Sequence, residues 1–225
     1  EFEVSWNDRI GKDFTYRVGF NLSDSQAKIT KYDLNPDGNI GDHYVGEKIG
    51  EIWGFVTDGF YSTDEEAAGV DNSDIWGGKW LAGDVRYKNL NGDKTADGKD
   101  IISKGHSKLQ DPGDRKIIGN NTARYNYGIS LSAEYKNFDF SCLMQGVGKR
   151  DLMLGGAYFW GFTDEWRTPT TEQLDYWTPD NPNAYYPRQR FGGGGNFQSQ
   201  TKYLQNGAYM RMKQLTLGYS IPKAL

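Results

Sequence analysis

The sequence predicts an all-β fold built from long antiparallel strands, chiefly because apolar and polar residues alternate without interruption. The clearest run is R-Y-N-Y-G-I-S-L-S-A-E-Y-K, Arg124–Lys136, where every odd position is apolar and every even position is polar or glycine. Successive side chains of a strand point to opposite faces, so this strand has one apolar and one polar face. The run is much longer than the usual soluble strand of about 5–6 residues. It suits a tilted strand that crosses a bilayer, which needs roughly 9–11 residues.

Four further runs show this alternation over all or part of their length. They are Glu1–Asp8, Phe14–Ser23, Phe138–Lys149 and Tyr209–Ser220. Tyrosines at the ends of the Arg124–Lys136 run match the aromatic girdles that flank the apolar band of outer-membrane barrels. The predicted fold is therefore an antiparallel transmembrane β-barrel segment of about five long strands, with lipid on the apolar face. A membrane barrel needs at least eight strands to close, so we expect further strands beside these.

The connections between the predicted strands alternate in length. Short turns near Gly11 and Asn137 contrast with long loop insertions over about 31–123 and 150–206. Outer-membrane barrels have short periplasmic turns and long extracellular loops, which orients the chain accordingly. Capping-box signals at Thr63 and Thr170 predict short helices inside the two long loops. Residues 1–225 are thus expected to form part of one barrel domain.

Composition excludes several functional classes. The mean hydropathy is −0.77, and no apolar run approaches the roughly 18 residues of a membrane helix. A net charge of −4 argues against a nucleic-acid partner. Neither His43 nor His106 lies in a Ser or Cys motif, so no nucleophilic enzyme is predicted. Because the chain opens in mid-strand without an initiator methionine, we expect it to be a piece of a longer protein.

Several longer motifs resemble the SusC/RagA family of TonB-linked outer-membrane transporters. They are I-G-E-I-W-G-F-V-T-D-G-F-Y (Ile49–Tyr61), G-D-V-R-Y-K-N-L-N-G-D (Gly83–Asp93), D-P-G-D-R-K-I-I-G-N (Asp111–Asn120), F-x-x-x-x-Q-G-V-G-K-R-D (Phe140–Asp151), L-D-Y-W-T-P-D-N-P-N-A-Y-Y-P-R (Leu174–Arg188) and A-Y-M-R-M-K-Q-L-T-L-G-Y-S-I-P-K (Ala208–Lys223). They follow the order of the family and span nearly the whole chain.

The resemblance implies a plugged barrel of about 22 strands in the outer membrane of Bacteroidetes-type bacteria. Family members import glycan oligomers or peptides together with a SusD-like surface lipoprotein and draw energy through TonB. This chain would then cover the late barrel only, without the plug, the TonB-contacting segment or the last strands. Its expected surroundings are membrane lipid, the lipoprotein and the nutrient.

One motif departs from the family pattern D-x-N-G-D-G-x-I-D, which resembles a calcium-binding loop with alternating oxygen ligands. In this chain Asn89 replaces the first Asp and Lys94 replaces the Gly. A Ca²⁺ site would use Asn91, Asp93, Asp97 or Asp100. A solvated Asx-rich turn explains the same residues and is the preferred interpretation, with no cofactor.

The candidate contact residues are of two kinds. Loop aromatics either form small cores within the loops or, for a few, contact substrate or lipoprotein, because Tyr and Trp are enriched at interfaces. These are Trp76, Trp80, Trp160, Trp166, Tyr176, Trp177, Tyr185 and Tyr186. Strand parity also predicts a lumen-facing set, namely Arg17, Arg124, Asn126 and Glu134.

A soluble β-sandwich module that binds carbohydrate is the alternative prediction. Such a module would share the richness in aromatics and glycine, but it would bury Tyr125, Ile129 and Leu131 against a second sheet. A barrel leaves these residues facing lipid.

Overall fold

The computed structural model describes residues 1–164 and 166–222. The Lys223 end of the last family motif therefore lies outside the described residues. The described chain is all-β with largely antiparallel pairing, as predicted. The helices within the described ranges are short, and none of them is long and apolar enough to cross a membrane.

The elements follow one another along the chain. The strands are β1 (Phe2–Ile10), β2 (Phe14–Ser23), β3 (Glu51–Phe55), β4 (Thr57–Phe60), β5 (Val70–Asp71), β6 (Val85–Tyr87), β7 (Asp100–Ile101), β8 (Arg115–Asn120), β9 (Arg124–Tyr135), β10 (Phe138–Lys149), β11 (Asp151–Met153), β12 (Leu204–Asn206) and β13 (Tyr209–Tyr219). The α-helices are α1 (Asp64–Ala68) and α2 (Ala157–Trp160), and 3₁₀ turns cover Thr171–Leu174, Gly194–Phe197 and Thr201–Tyr203.

The chain divides into two compact units. The first, which we call the sheet unit, comprises Glu1–Ala27, Asn121–Asp151 and Asn206–Leu225. The second, the insertion unit, comprises Lys28–Asn120 and Leu152–Gln205. The assignment of the whole chain to one barrel domain stays a prediction.

The sheet unit is built on one antiparallel sheet with strand order β1-β2-β9-β10-β13. Its register aligns residues of like character across all five strands. One cross-strand row consists of Trp6, Val18, Leu131, Cys142 and Leu215. The adjacent row, on the opposite face, consists of Asn7, Arg17, Ser132, Ser141 and Thr216. In these rows the register keeps one face apolar and the other polar, as a period of two requires.

A β-bulge changes the parity of the last strand. Leu143 pairs with Gln214 and Met144 pairs with Met212, so Lys213 is the extra residue. A bulge places two residues opposite one and reverses the alternation beyond it. Met210 and Met212 thereby join Leu215 on the apolar face, which simple alternation along the sequence does not predict.

Both hairpin turns of the sheet unit use the left-handed backbone region. Gly11, in the turn between β1 and β2, has φ of +68°. Lys136, in the two-residue turn between β9 and β10, has φ of +55°. Tight antiparallel turns need positive φ, which explains the glycine at the first turn.

The long segments of the insertion unit contain short strands that the sequence pattern does not predict. They form the short two-stranded sheets β3-β8, β4-β6 and β5-β7 around a core of buried aromatic and aliphatic side chains. Strands of two to six residues carry too little periodicity for the sequence to show them.

The predicted helix after Thr63 is confirmed. Thr63 caps α1, its hydroxyl oxygen accepting from the Glu66 N–H at 3.1 Å. After Thr170 the structure has a 3₁₀ turn over Thr171–Leu174, with a capping box in which the Gln173 carboxamide oxygen accepts from the Thr170 N–H at 2.8 Å. The turn ends at Leu174, so the predicted short helix is a single 3₁₀ turn that does not reach Trp177. There the backbone bonds to Tyr186 instead.

Candidate functional site

The apolar face of the sheet unit is a continuous surface of large side chains. Leu215 is 59% exposed, and Trp6, Val18 and Leu217 are likewise exposed. Within the described part of the sheet unit the five strands form a single layer with no second sheet over this face. The β-sandwich alternative requires such a second sheet. An exposed apolar surface of this extent is typical of an interface or a membrane-facing wall.

The polar face carries the predicted lumen-facing residues in two environments. Arg17, Asn126 and Glu134 have exposed side chains along the strands. Arg124 is different, because its guanidinium forms a double ion pair with Asp24 at the end of β2. Arg124 thus joins the end of β2 to the start of β9. The lumen assignment of these four residues stays a prediction.

The insertion unit separates the predicted contact aromatics by burial. Trp80, Trp160, Trp177 and Tyr186 are buried, and Trp76 and Tyr185 are partly buried against the same core. Trp166 is 91% exposed, and Tyr176 is also open to solvent. Most of the set therefore builds the core, in agreement with the interpretation that the loops contain small cores.

Buried tyrosines give this core its polar connections. Tyr61 accepts a hydrogen bond from Asn72 Nδ2 at 3.1 Å, and its burial raises the pKa of the phenol to about 12. Burial raises the pKa of Tyr203 as well, and its hydroxyl donates to the Tyr185 carbonyl oxygen at 2.9 Å. Both phenols therefore stay neutral and act as hydrogen-bonding groups at physiological pH.

A buried carboxylate joins the two insertions into one unit. Asp84 is 1% exposed and accepts from the Leu81 N–H at 2.8 Å and from Asn196 Nδ2 at 2.9 Å. Arg190 pairs with the same carboxylate through Nε at 3.2 Å and through Nη2. The Arg190 guanidinium also lies 5.2 Å from the ring centroid of Trp76. Residues about a hundred positions apart are thus fixed together.

Asn196 and Gln200 extend this network. Asn196 Oδ1 accepts from the Val85 N–H at 2.8 Å, while Gln200 Nε2 donates to the Asn196 carbonyl oxygen at 2.8 Å. The Tyr87 hydroxyl donates to the Gly195 carbonyl oxygen at 2.8 Å. The glycine-rich Phe191–Phe197 tract is therefore packed through its Gly195–Phe197 end.

Asp114, in the D-P-G-D-R motif, is a second buried carboxylate. It accepts from the backbone N–H groups of Leu90 at 2.6 Å, Asn91 at 3.2 Å and Ser103 at 2.7 Å. Sequence analysis did not select Asp84, Asp114, Arg190, Asn196 or Gln200. The only available signal was that Asp84 and Asp114 lie inside the family-like motifs.

An open cavity of about 440 Å³ lies beside the most exposed aromatic rings of the insertion unit. Its lining includes Tyr158, which is 89% exposed, and Trp166. Arg167 Nε donates to Asp164 Oδ2 at 3.1 Å on the same lining. The volume falls within the range of about 300–1,000 Å³ that is common for ligand sites.

The Asn89–Asp100 loop is held by its own side chains. Lys94 Nζ donates to Asp100 Oδ1 at 2.9 Å, and Asn91 Nδ2 donates to Asp93 Oδ2 at 2.8 Å. The hydrogen bond from Lys94, followed by that from Asn89, holds the pKa of Asp100 below its ordinary value. Within residues 1–164 and 166–222, no group of three or more His, Cys, Asp or Glu is arranged to hold a metal ion. These contacts favour the Asx-rich turn, and the calcium site stays a prediction.

This chain resembles known proteins in sequence and in fold. No protein-family model matches the chain. The TonB-dependent receptor P3 of Formosa agariphila is 26% identical over 245 residues, covering 100% of this chain and 21% of that protein. The TonB-dependent receptor SusC of Bacteroides thetaiotaomicron is 23% identical and covers 98% of this chain and 20% of that protein. Among solved structures, the RagAB peptide transporter superposes with a TM-score of 0.66 at 19% identity, over 99% of this chain and 22% of that chain.

The chain is SusC/RagA-like. The resemblance drawn from the motifs is thereby confirmed across the whole sequence and not only at the motifs. At 19% identity the RagAB match shows the fold, which is the predicted antiparallel one. The SusC/RagA-like chain spans about a fifth of the length of the curated relatives it matches. These relatives are named as TonB-dependent receptors.

Proposed function

We propose that this chain forms part of the wall of an outer-membrane nutrient importer whose transport is TonB-dependent. The observation that carries the proposal is the sheet unit, a single antiparallel layer with one exposed apolar face and one polar face. A bilayer solvates such an apolar face, whereas water does not. The likeness of this chain to SusC and to other TonB-dependent receptors extends over its full length.

The insertion unit lies on the extracellular side in this proposal. Its two segments enter and leave at the end of the sheet opposite the short turns at Gly11 and Lys136. Long connections of outer-membrane barrels are extracellular and short ones are periplasmic. The buried Asp84–Arg190 pair would keep the two extracellular segments together as one folded body.

The transported nutrient is a glycan oligomer or a peptide, and a SusD-like surface lipoprotein is the expected partner. Trp166 and Tyr176 are the only members of the predicted contact set that remain exposed. Trp166 and Tyr158 beside the 440 Å³ cavity are therefore the best-placed rings to touch nutrient or lipoprotein. Exposed aromatics beside a few polar groups are common in such sites.

A pair of adjacent charge substitutions in the whole protein tests the wall assignment. Leu215→Arg places a charge on the apolar face, which near the bilayer midplane costs about 2–4 kcal/mol. Gln214→Arg places the same charge on the polar face of the same strand and serves as the matched control. We expect Leu215→Arg to reduce the amount of folded protein in the outer membrane by much more than Gln214→Arg does.

The reverse result, or equal tolerance of both variants, would contradict the barrel and favour a soluble module. Uptake measured with and without a protonophore then tests energy coupling, with labelled oligosaccharides and peptides as separate arms. Uptake of one class only would assign the substrate. Uptake that is indifferent to the protonophore would contradict TonB dependence.

A further inference from the structure

Arg17 is a cation on the polar face of the sheet unit without a charged partner. Arg211 lies on the same face, but its guanidinium is placed over the Tyr209 ring, 5.5 Å from the centroid. Arg17, in β2, has an exposed side chain that forms neither an ion pair nor a hydrogen bond with any of the residues 1–164 and 166–222. Arg124, on the neighbouring strand, contrasts with it because Asp24 neutralises its guanidinium. The sheet unit therefore neutralises the guanidinium of Arg124 and leaves that of Arg17 without a counter-charge.

The side chains beside Arg17 are uncharged, and Leu143 is an apolar residue among them. The cross-strand row of Arg17 contains only uncharged side chains besides Arg17 itself, and a groove of about 330 Å³ beside it is lined by Ser130, Ser132, Ser141 and Gln214 among others. Hydroxyl and amide groups can orient a bound anion by donating hydrogen bonds. They carry no charge that would balance a guanidinium.

The acidic residues closest to Arg17 in the strand register lie in the next cross-strand row of the same face. Glu134 pairs with Thr15 and Asp139 pairs with Glu134, both on the short-turn side of Arg17. Glu134 is thus a diagonal neighbour, at a distance that long side chains can span. Its carboxylate nevertheless forms no ion pair with Arg17 within the described chain.

The guanidinium of Arg17 requires a counter-charge once the polar face of the sheet unit is covered. A guanidinium removed from water costs several kcal/mol unless it is paired and fully hydrogen-bonded. Its planar array of N–H donors matches a carboxylate in a two-bond geometry. If the polar face is the inner side of the wall, as the proposed function states, Arg17 therefore needs a carboxylate from whatever covers it.

We propose that Arg17 binds an Asp or Glu carboxylate carried by a segment of the same transporter outside residues 1–225. The chain spans about a fifth of its relatives, and in the importer proposed above the further segments of such a protein cover this face. The groove contains no aromatic ring and is small, whereas nutrient sites are usually lined by aromatic side chains. These features fit a single acidic side chain better than a passing nutrient.

Hydrogen–deuterium exchange on the whole transporter in detergent tests the inference. Arg17→Gln should raise exchange in one segment outside residues 1–225 by roughly tenfold or more, because a charge-assisted hydrogen bond is lost. Glu134→Gln is the matched control, since it removes the neighbouring acid of the sheet itself and should leave that segment unchanged. Equal effects of the two variants would show an Arg17–Glu134 pair and overturn the inference, as would no change outside residues 1–225.

A structure of the unmodified whole protein gives a second answer that does not depend on a variant folding. The expected result is a protein carboxylate about 3 Å from the Arg17 guanidinium. An interior Arg17 that contacts only water, Glu134 or an added acidic ligand would refute this inference alone. An Arg17 that points outside the barrel would refute the proposed function as well.

Discussion

Removal of the Asp84 carboxylate should unfold the insertion unit locally while the sheet unit stays intact. Asp84 is buried and takes hydrogen bonds from Leu81 N–H, Asn196 Nδ2 and two nitrogens of Arg190. In Asp84→Ala these donors lose their acceptor, and the Arg190 guanidinium, 18% exposed, loses its counter-charge. Breaking one partner of a buried ion pair costs about 3–5 kcal/mol. The Trp76 ring and the Lys79 carbonyl oxygen still contact Arg190, so we expect about 4 kcal/mol, near the middle of that range.

The assay is hydrogen–deuterium exchange of the whole protein in detergent, followed by peptide. A loss of about 4 kcal/mol corresponds to a roughly thousandfold increase in local opening. The increase should be seen in peptides that contain Val85 and Asn196, which the network joins. Peptides of β9 and β10 should not change, because their pairing lies within the sheet unit.

Asp58→Ala is the matched control for this experiment. Asp58 forms exposed ion pairs with Lys88 at 3.3 Å and with Arg86 at 3.5 Å, and such pairs typically contribute about 0–1 kcal/mol. We expect less than a tenfold change in exchange for this variant. The reasoning would be refuted if Asp84→Ala behaved like Asp58→Ala. A double variant, Asp84→Ala with Arg190→Met, should recover part of the loss because it removes the uncompensated charge.

Three further predictions concern the insertion unit. Gly195→Ala would bring a Cβ to 2.4 Å from Trp80, so we expect a loss of about 1–3 kcal/mol in thermal unfolding, whereas Gly77→Ala, with no atom within 4 Å, should be neutral. Tyr61 has its pKa raised from 10 to about 12, so its contribution to stability is complete below pH 10 and is lost as pH rises through 12. Near-ultraviolet circular dichroism should follow this alkaline transition, and Tyr61→Phe should shift it to higher pH; an unshifted transition would show that other groups drive it. Calcium chelation should leave exchange in the Asn89–Asp100 loop unchanged, because Lys94 already neutralises Asp100, and a loss of protection would instead indicate a metal site.

Local periodicity explains why the sheet unit could be predicted from sequence. Alternation over Phe14–Ser23 and Phe138–Lys149 reproduces the bounds of β2 and β10, since a period of two is visible within one strand. The bulge at Lys213 was not predicted, because its position depends on the pairing with Leu143. Parity therefore fails for Met210 and Met212 although it holds for Leu215.

Contacts between distant residues explain why the insertion unit could not be predicted in the same way. Asp84 bonds to Asn196 across 112 positions, and nothing local in Gly192–Gly195 shows that Gly195 packs against Trp80. The sequence does not distinguish a buried aromatic residue from an exposed one: Trp160 is buried and Trp166 is exposed. Composition identified a set of candidates, and only the tertiary structure divided that set into core and surface.

The alternation of environments along β13 is the most direct test of the membrane-wall assignment. Spin labels placed singly at Gln214, Leu215, Thr216 and Leu217 of the whole protein in lipid bilayers would report collisions with oxygen, which partitions into lipid, and with a water-soluble nickel chelate. The account predicts that positions 215 and 217 favour oxygen and that positions 214 and 216 favour the chelate or are shielded from both. Collision rates without this period of two, or low oxygen access at 215 and 217, would contradict it.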